Sequence, residues 1–209
     1  MATEIYLGRP PENIVNWIKA EAERKYQVLK TPLTFTAEEA GSTIKMSKYG
    51  SAPTVYLETS STGEEGSWSD FIVCTNDENG NSNNDGTIIT LTNVGDRVYF
   101  RAKQDNEKFG QADSSYDYNS FVMTGKIAAS GNINTLLKAD GSVLDLTGRD
   151  GCYSYMFENC TSLTQAPELP ATTLAYRCYH AMFDNCTSLT QAPELPATTL
   201  AEACYSRMF

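Results

Sequence analysis

A unit of 26 residues is written almost twice over in the last third of this chain. Residues 152–177 read CYSYMFENCTSLTQAPELPATTLAYR and residues 178–203 read CYHAMFDNCTSLTQAPELPATTLAEA; a third copy opens at Cys204 with CYSRMF and ends at Phe209. Aligned without gaps, the two full copies agree at 21 of 26 positions. A fixed period of this length marks a solenoid, whose units bury their apolar faces only against their neighbours. The pattern argues for an extended, modular surface and against a catalytic pocket. Two complete units are fewer than the roughly three that usually stand alone. Phe209 also ends an apolar stripe with no polar cap, so the natural chain is expected to continue past residue 209 or to be covered there by a partner.

Within one unit, Leu174, Cys178, Met182 and Cys186 recur every four residues with Phe183 beside them, which predicts the buried stripe of a short helix or helical turn. Ser188 to Ala192 reads as short and extended, and Pro193 and Pro196 then forbid more helix. The copies differ at Ser154/His180, Tyr155/Ala181, Glu158/Asp184, Tyr176/Glu202 and Arg177/Ala203. On a helix from 174 to 186, positions 176, 177, 180, 181 and 184 share a stripe largely opposite Leu174, Cys178 and Met182. Tyr155, Glu158, Tyr176, Arg177, His180, Asp184 and Glu202 are therefore the candidate ligand face, with neutral drift at solvent positions as the competing explanation. The unchanged extended segment predicts ladders of Gln165/Gln191 and Glu168/Glu194. These suit a repetitive ligand such as a glycan or an extended peptide, and would equally serve to solvate a sheet.

Regular leucines, an Asn-Cys pair, and a strand with a helix per coil follow the grammar of a leucine-rich repeat. In detail, NCTSLTQAPELPATTLAxxCYxxMFxNC resembles the BspA-like leucine-rich repeats of bacterial cell-surface antigens, which run C-x-S-L-T, an apolar-Pro step, then an aromatic and a cysteine. The resemblance covers residues 152–209. One departure is the second proline, Pro170 beside Pro167, which shortens or kinks the strand. What the resemblance implies is a surface-exposed, adhesive repeat protein.

Upstream, Ile5–Leu7 reads as a short strand-like piece, followed by Gly8 and Pro10-Pro11, with Pro11 suited to the first position of a helix and Glu12 to its first turn. Ile14, Ile18, Ala22, Tyr26 and Leu29 then recur at three or four residues, with Trp17 alongside, predicting an amphipathic helix that stops before Thr31-Pro32. Its stripe either packs on the next domain or serves self-association or docking into another protein. Seven short strands are expected at Leu33–Ala37, Thr43–Ser47, Thr54–Glu58, Trp68–Cys74, Thr87–Thr92, Arg97–Ala102 and Ser120–Ile127, resembling an immunoglobulin-like sandwich with Trp68, Phe71, Tyr99 and Phe100 in its core. Asn81, Asn83, Asp85 and Gly86 match the opening of a calcium loop, but Thr92 stands where the bidentate Glu belongs, so a solvated hairpin insertion is favoured. Residues 129–151 carry one repeat-like strand (Val143, Leu144, Leu146) and read as a solenoid cap.

The fold expected from these parts is mixed α and β and multidomain. An N-terminal anchoring or oligomerisation helix (1–31) precedes an Ig-like β-sandwich (32–128), a solenoid cap (129–151) and a truncated leucine-rich repeat solenoid (152–209). A net charge of −10 argues against nucleic acid and anionic membranes as partners, and no apolar run is long enough to span a bilayer. The first residues lack the features of a secretory signal; a chain starting at Met1 is expected to stay in the cytoplasm unless lysis releases it, as it would a phage virion protein. Five of the six cysteines belong to the repeat, and free thiols are favoured over disulfides because stacked side chains run parallel. No nucleophile elbow, phosphate loop or metal motif is present, and the lone His180 is matched by Ser154 and Ser206 in its sister copies, so neither an enzyme nor a cofactor is expected. The leading expectation is a non-enzymatic bacteriophage virion fibre or decoration protein, homo-oligomeric, held to other virion proteins by residues 1–31 and presenting its repeats to a host-surface glycan or protein. The alternative is a bacterial cell-surface adhesin whose export signal has been removed.

Overall fold

Short apolar alternations between 33 and 130 build two β-sheets in the computed structural model, which describes residues 12–77, 80–114 and 116–209 and, within these, all side chains but those of Arg24, Lys25, Val28 and Leu29. The expected Ile5–Leu7 strand, the Pro10-Pro11 pair, the side chain of Leu29, and Glu78 and Asn79 of the polar loop lie outside the described residues. Helix α1 spans Glu12–Lys30, with Glu12 in its first turn and Lys30 in its last, each complementing the helix dipole. The strands are β1 (Leu33–Ala37), β2 (Ser42–Lys48), β3 (Leu57–Ser60), β4 (Ser69–Phe71), β5 (Cys74–Thr75), β6 (Ile89–Leu91), β7 (Arg97–Ala102), β8 (Asn119–Thr124), β9 (Ile127–Ser130) and β10 (Leu163–Gln165).

One sheet has the order β10-β9-β1-β7-β3-β4, antiparallel except where β10 lies parallel to β9. In the other, β2 pairs antiparallel with β8 and β6 and parallel with β5. Phe35, Phe71, Phe100 and Phe121 meet edge to face between them at centroid distances of 5.0–5.5 Å. Phe157, from the first repeat, joins the same cluster 6.3 Å from Phe35 and 5.3 Å from Phe121. The core is continuous from Leu33 to Met208.

The expected series of helix, Ig-like sandwich and leucine-rich solenoid is therefore not what forms. Among the described residues α1 is the only α-helix, and the remainder is a β-rich fold of two mixed sheets and ten strands. No solenoid of strand-and-helix coils follows a finished sandwich, because β10 belongs to the first repeat yet completes the six-stranded sheet.

The helix predicted within each repeat fails for a backbone reason. Every fourth residue is left-handed along each turn ribbon: Gly151, Tyr155 and Asn159 from just before the first copy, Arg177, Ala181 and Asn185 across the start of the second, Ala203 and Arg207 across the start of the third, all with φ between 50° and 69°. Alternate N–H groups close tight turns onto the carbonyl three residues back, as Ser154 does to Gly151 and Met156 to Tyr153. The N–H groups between them reach the next copy instead: Tyr153 to Cys178 (2.7 Å), Tyr155 to His180 (3.0 Å), Phe157 to Met182 (2.9 Å) and Asn159 to Asp184 (2.9 Å). The copies thus lie in register, with Tyr153, Tyr179 and Tyr205 stacked at 5.7 and 5.8 Å and Phe157, Phe183 and Phe209 at 5.4 and 5.7 Å.

These rows begin before the first repeat. Phe109 stacks on Tyr153 (6.0 Å) and Phe121 on Phe157, while the N–H groups of Phe109 and Phe121 donate to the carbonyls of Cys152 and Met156 (2.7 and 2.8 Å). The sheets treat the first repeat as that repeat treats the second. Glycine makes the approach possible: a Cβ on Gly110 would strike Ser154 and the Gly151 carbonyl, and one on Gly151 would strike the Gln111–Ala112 peptide.

Candidate functional site

The identical Thr-Gln-Ala-Pro-Glu segments of the two full copies face each other across a groove of about 250 Å³ lined by Gln165, Ala166, Pro167, Glu168, Gln191, Ala192, Pro193 and Glu194. The copies are joined on either side of it. Beyond the groove, Leu174 N–H donates to Thr199 O (3.0 Å) and Thr198 N–H to Thr172 O (3.1 Å); before it lie the bonds from Tyr153 to Asn159 described above. Between these, no backbone hydrogen bond links 163–170 to 189–196 among the described residues. Proline explains the far part of the gap, since Pro167, Pro170, Pro193 and Pro196 carry no N–H to bond between the copies. The predicted Gln165/Gln191 and Glu168/Glu194 pairs are thereby brought to one open cleft.

A second surface is built around the aromatic residue at position 155. Tyr49, Tyr118 and Tyr155 stack in sequence, each pair 4.7 Å apart, and His180 stands edge-on to Tyr155 at 5.2 Å with Nε2 3.0 Å from its hydroxyl. Tyr118 donates its O–H to Glu158 Oε2 (3.1 Å), and Arg207 donates to Asp184 Oδ2 (3.0 Å). Burial, then the charge of Glu158, pushes the Tyr118 phenol up. Glu158 is itself raised by burial, with Asp184 adding to the shift and the Tyr118 hydrogen bond opposing it. Burial and then Arg177 and Arg207 hold His180 below its ordinary value of 6.5, so the ring is neutral near pH 7. The patch offers phenol, imidazole and carboxylate groups for hydrogen bonding.

Of the candidate ligand face, Tyr155, Glu158, His180 and Asp184 gather in this patch. Arg177 borders the patch through its charge on His180 but makes no side-chain bond in it, donating Nη1 to Ala112 O (2.9 Å) and lying over the ring of Tyr176, while the Glu202 carbonyl accepts from Arg177 N–H (3.2 Å). Two of the diverging positions turn inward: Ser154 is buried and donates to Gly151 O, and Ala181 is buried. Tyr49, Tyr118 and Arg207 belong to the patch but carry no signal in the repeat pattern that would place them there.

On α1, Ile14, Trp17, Ile18, Ala22 and Tyr26 are all exposed, Trp17 at 67%. Among the described residues no helix is long and apolar enough to cross a membrane. The polar loop is pinned by protein groups, with Asp85 accepting from the N–H and hydroxyl of Thr75, and no cluster of His, Cys, Asp or Glu among the described residues could hold a metal. All six cysteines are buried and unpaired; burial pushes Cys178 and Cys186 up to about 12, which removes them as nucleophiles at neutral pH. Comparison with known proteins finds no matching family, no matching curated protein and no matching solved structure.

Proposed function

We propose that this chain is a non-enzymatic, surface-displayed adhesion protein, a bacteriophage virion fibre or decoration protein that is held to the particle by residues 1–31 and binds host-surface or environmental ligands through its repeats. The observation that carries the reading is the groove between the first two repeats, where two copies of one sequence set the same amide and the same carboxylate on facing walls, open to solvent. A surface that repeats its own chemistry along an axis suits a long ligand better than a single small substrate. The exposed apolar stripe of α1 supports an attachment role, since an apolar helix face of this kind is ordinarily covered by a partner. The likeness of the repeat to BspA-like surface antigens supports the adhesive half.

The test is particle incorporation. Purified virions are expected to contain the full chain and to lose it when residues 1–31 are deleted; incorporation of the truncated chain would remove the anchor assignment. Antibody against residues 152–209 is expected to reduce adsorption of the particle to its host, and unchanged adsorption would remove the adhesive role.

A further inference from the structure

β10 is the end strand of the six-stranded sheet, bonded to β9 on one side only. An end strand presents unpaired N–H and C=O groups and is a standing template for another extended chain. The neighbour that the repeat period would supply is Leu189–Gln191, but these residues form no strand and no backbone bond to β10. The groove opens at the end of this edge, where Gln165 is the one β10 residue that lines it, and none of Gln165, Gln191, Glu168 and Glu194 has a side-chain hydrogen bond or ion pair among the described residues. Its volume of about 250 Å³ is below the roughly 300–1,000 Å³ of ordinary small-molecule pockets and fits a few residues of a chain lying across it.

We propose that this groove takes an extended polypeptide segment bearing basic side chains, which bonds through its backbone to the end of β10 at Gln165 and sets Lys or Arg beside Glu168 and Glu194. The inference rests on the reading of the repeats as a ligand-binding surface and names the ligand class. A basic peptide is favoured over a neutral glycan by charge. Covering two free carboxylates with uncharged groups desolvates them without compensation, whereas a cation replaces the lost water. The chain's net charge of −10 adds long-range attraction for the same class of partner.

The probe is a fluorescein-labelled octapeptide of alternating Lys and Thr, titrated with the full-length protein and followed by anisotropy. Saturable binding is expected, weakened about tenfold in the E168Q/E194Q double variant, the size two partly exposed charge pairs supply together. Removing the exposed acids of the β1–β2 turn (E38Q/E39Q) should leave it unchanged. The same peptide N-methylated at alternate residues keeps its charge but cannot join a β-ladder, and is expected to lose binding. Equal binding of the methylated peptide, equal loss in the turn variant, or no effect of E168Q/E194Q each overturns the proposal. So does Glu168- and Glu194-dependent binding of chitohexaose in place of the peptide. Both positions are at least partly exposed, and unchanged thermal melting shows the variant is folded. If the antibody against the repeats blocks adsorption while the peptide does not bind, the display role stands and the groove assignment falls; if neither occurs, both fall.

Discussion

The first and second repeats share 21 of 26 residues and occupy different environments. In the first, Leu163–Gln165 is a strand against β9, Glu168 N–H donates to Gly131 O, and the Tyr153 hydroxyl donates to Asn134 Oδ1 at 2.9 Å. In the second, the matching extended segment forms no strand and the buried Tyr179 hydroxyl has no partner among the described residues. Leu169 and Leu174 are 2% and 4% exposed, while their counterparts Leu195 and Leu200 are 42% and 60% exposed. A repeat of this kind does not carry its structure within itself. Its turn ribbon needs one neighbour, which both copies have, whereas its extended segment needs a second, which only the first copy finds in β9 and residues 131–134.

That difference can be broken at its strongest point. Phe157→Ala removes the ring that joins the first repeat to the aromatic cluster of both sheets, and a loss of about 3–5 kcal/mol is expected in chemical denaturation. A loss below about 1 kcal/mol would show the repeats and the sheets folding independently. The paired leucines sharpen the contrast. Leu169→Ala is expected to lose about 2–4 kcal/mol and Leu195→Ala less than about 1 kcal/mol, and equal values in parallel melts would contradict the difference in burial.

The tyrosines make a subtler pair. Tyr153→Phe strands a buried amide oxygen on Asn134 and should destabilise by about 1–2 kcal/mol, while Tyr179→Phe removes an unsatisfied hydroxyl and should be neutral or stabilising. The smallest effect concerns pH. His180 has its folded value depressed, so the unfolded chain binds the proton more readily; stability is complete above the ordinary value of 6.5 and falls as pH drops below it. Replacing His180 by Ser, the residue at that place in the other two copies, should flatten stability between neutrality and mild acid. An unchanged pH profile would place the titrating group elsewhere.

How far the sequence could be read follows from the same contrast. Strand alternation is a local property, and Leu33–Ala37 and Arg97–Ala102 are strands over the residues it marks. The meeting of Gln165 with Gln191 and Glu168 with Glu194 follows from the period alone. The expected helix does not form, and its stripe differs from a helical one: Leu174, Cys178, Met182 and Cys186 recur every 4.0 residues, not every 3.6. A strict period of four belongs here to a backbone that turns left-handed once per four residues. Asn159 and Asn185 are the usual occupants of that conformation, but Tyr155, Arg177 and Ala181 are not, and stacking onto the next copy overrides a local preference of about 1–2 kcal/mol. Least legible were Phe109, Tyr118 and Phe121. Nothing nearby in the sequence announces that they stack on the rings of the first repeat, because the contact is made across some forty residues of chain.

The fixed register of the bonds between copies has a consequence for how such a chain can change in length. Tyr153, Tyr155, Phe157 and Leu174 donate to the next copy and Thr198 donates back, at positions fixed by the period, so a duplicated 26-residue block slipped between the first and second copies would meet the same partners on both sides as the copies already there. A block that is not a whole multiple of 26 would shift the rows out of register. The molecule is in this respect a ruler marked in whole divisions, able to be lengthened by genetic duplication without altering the sheets against which the first copy packs.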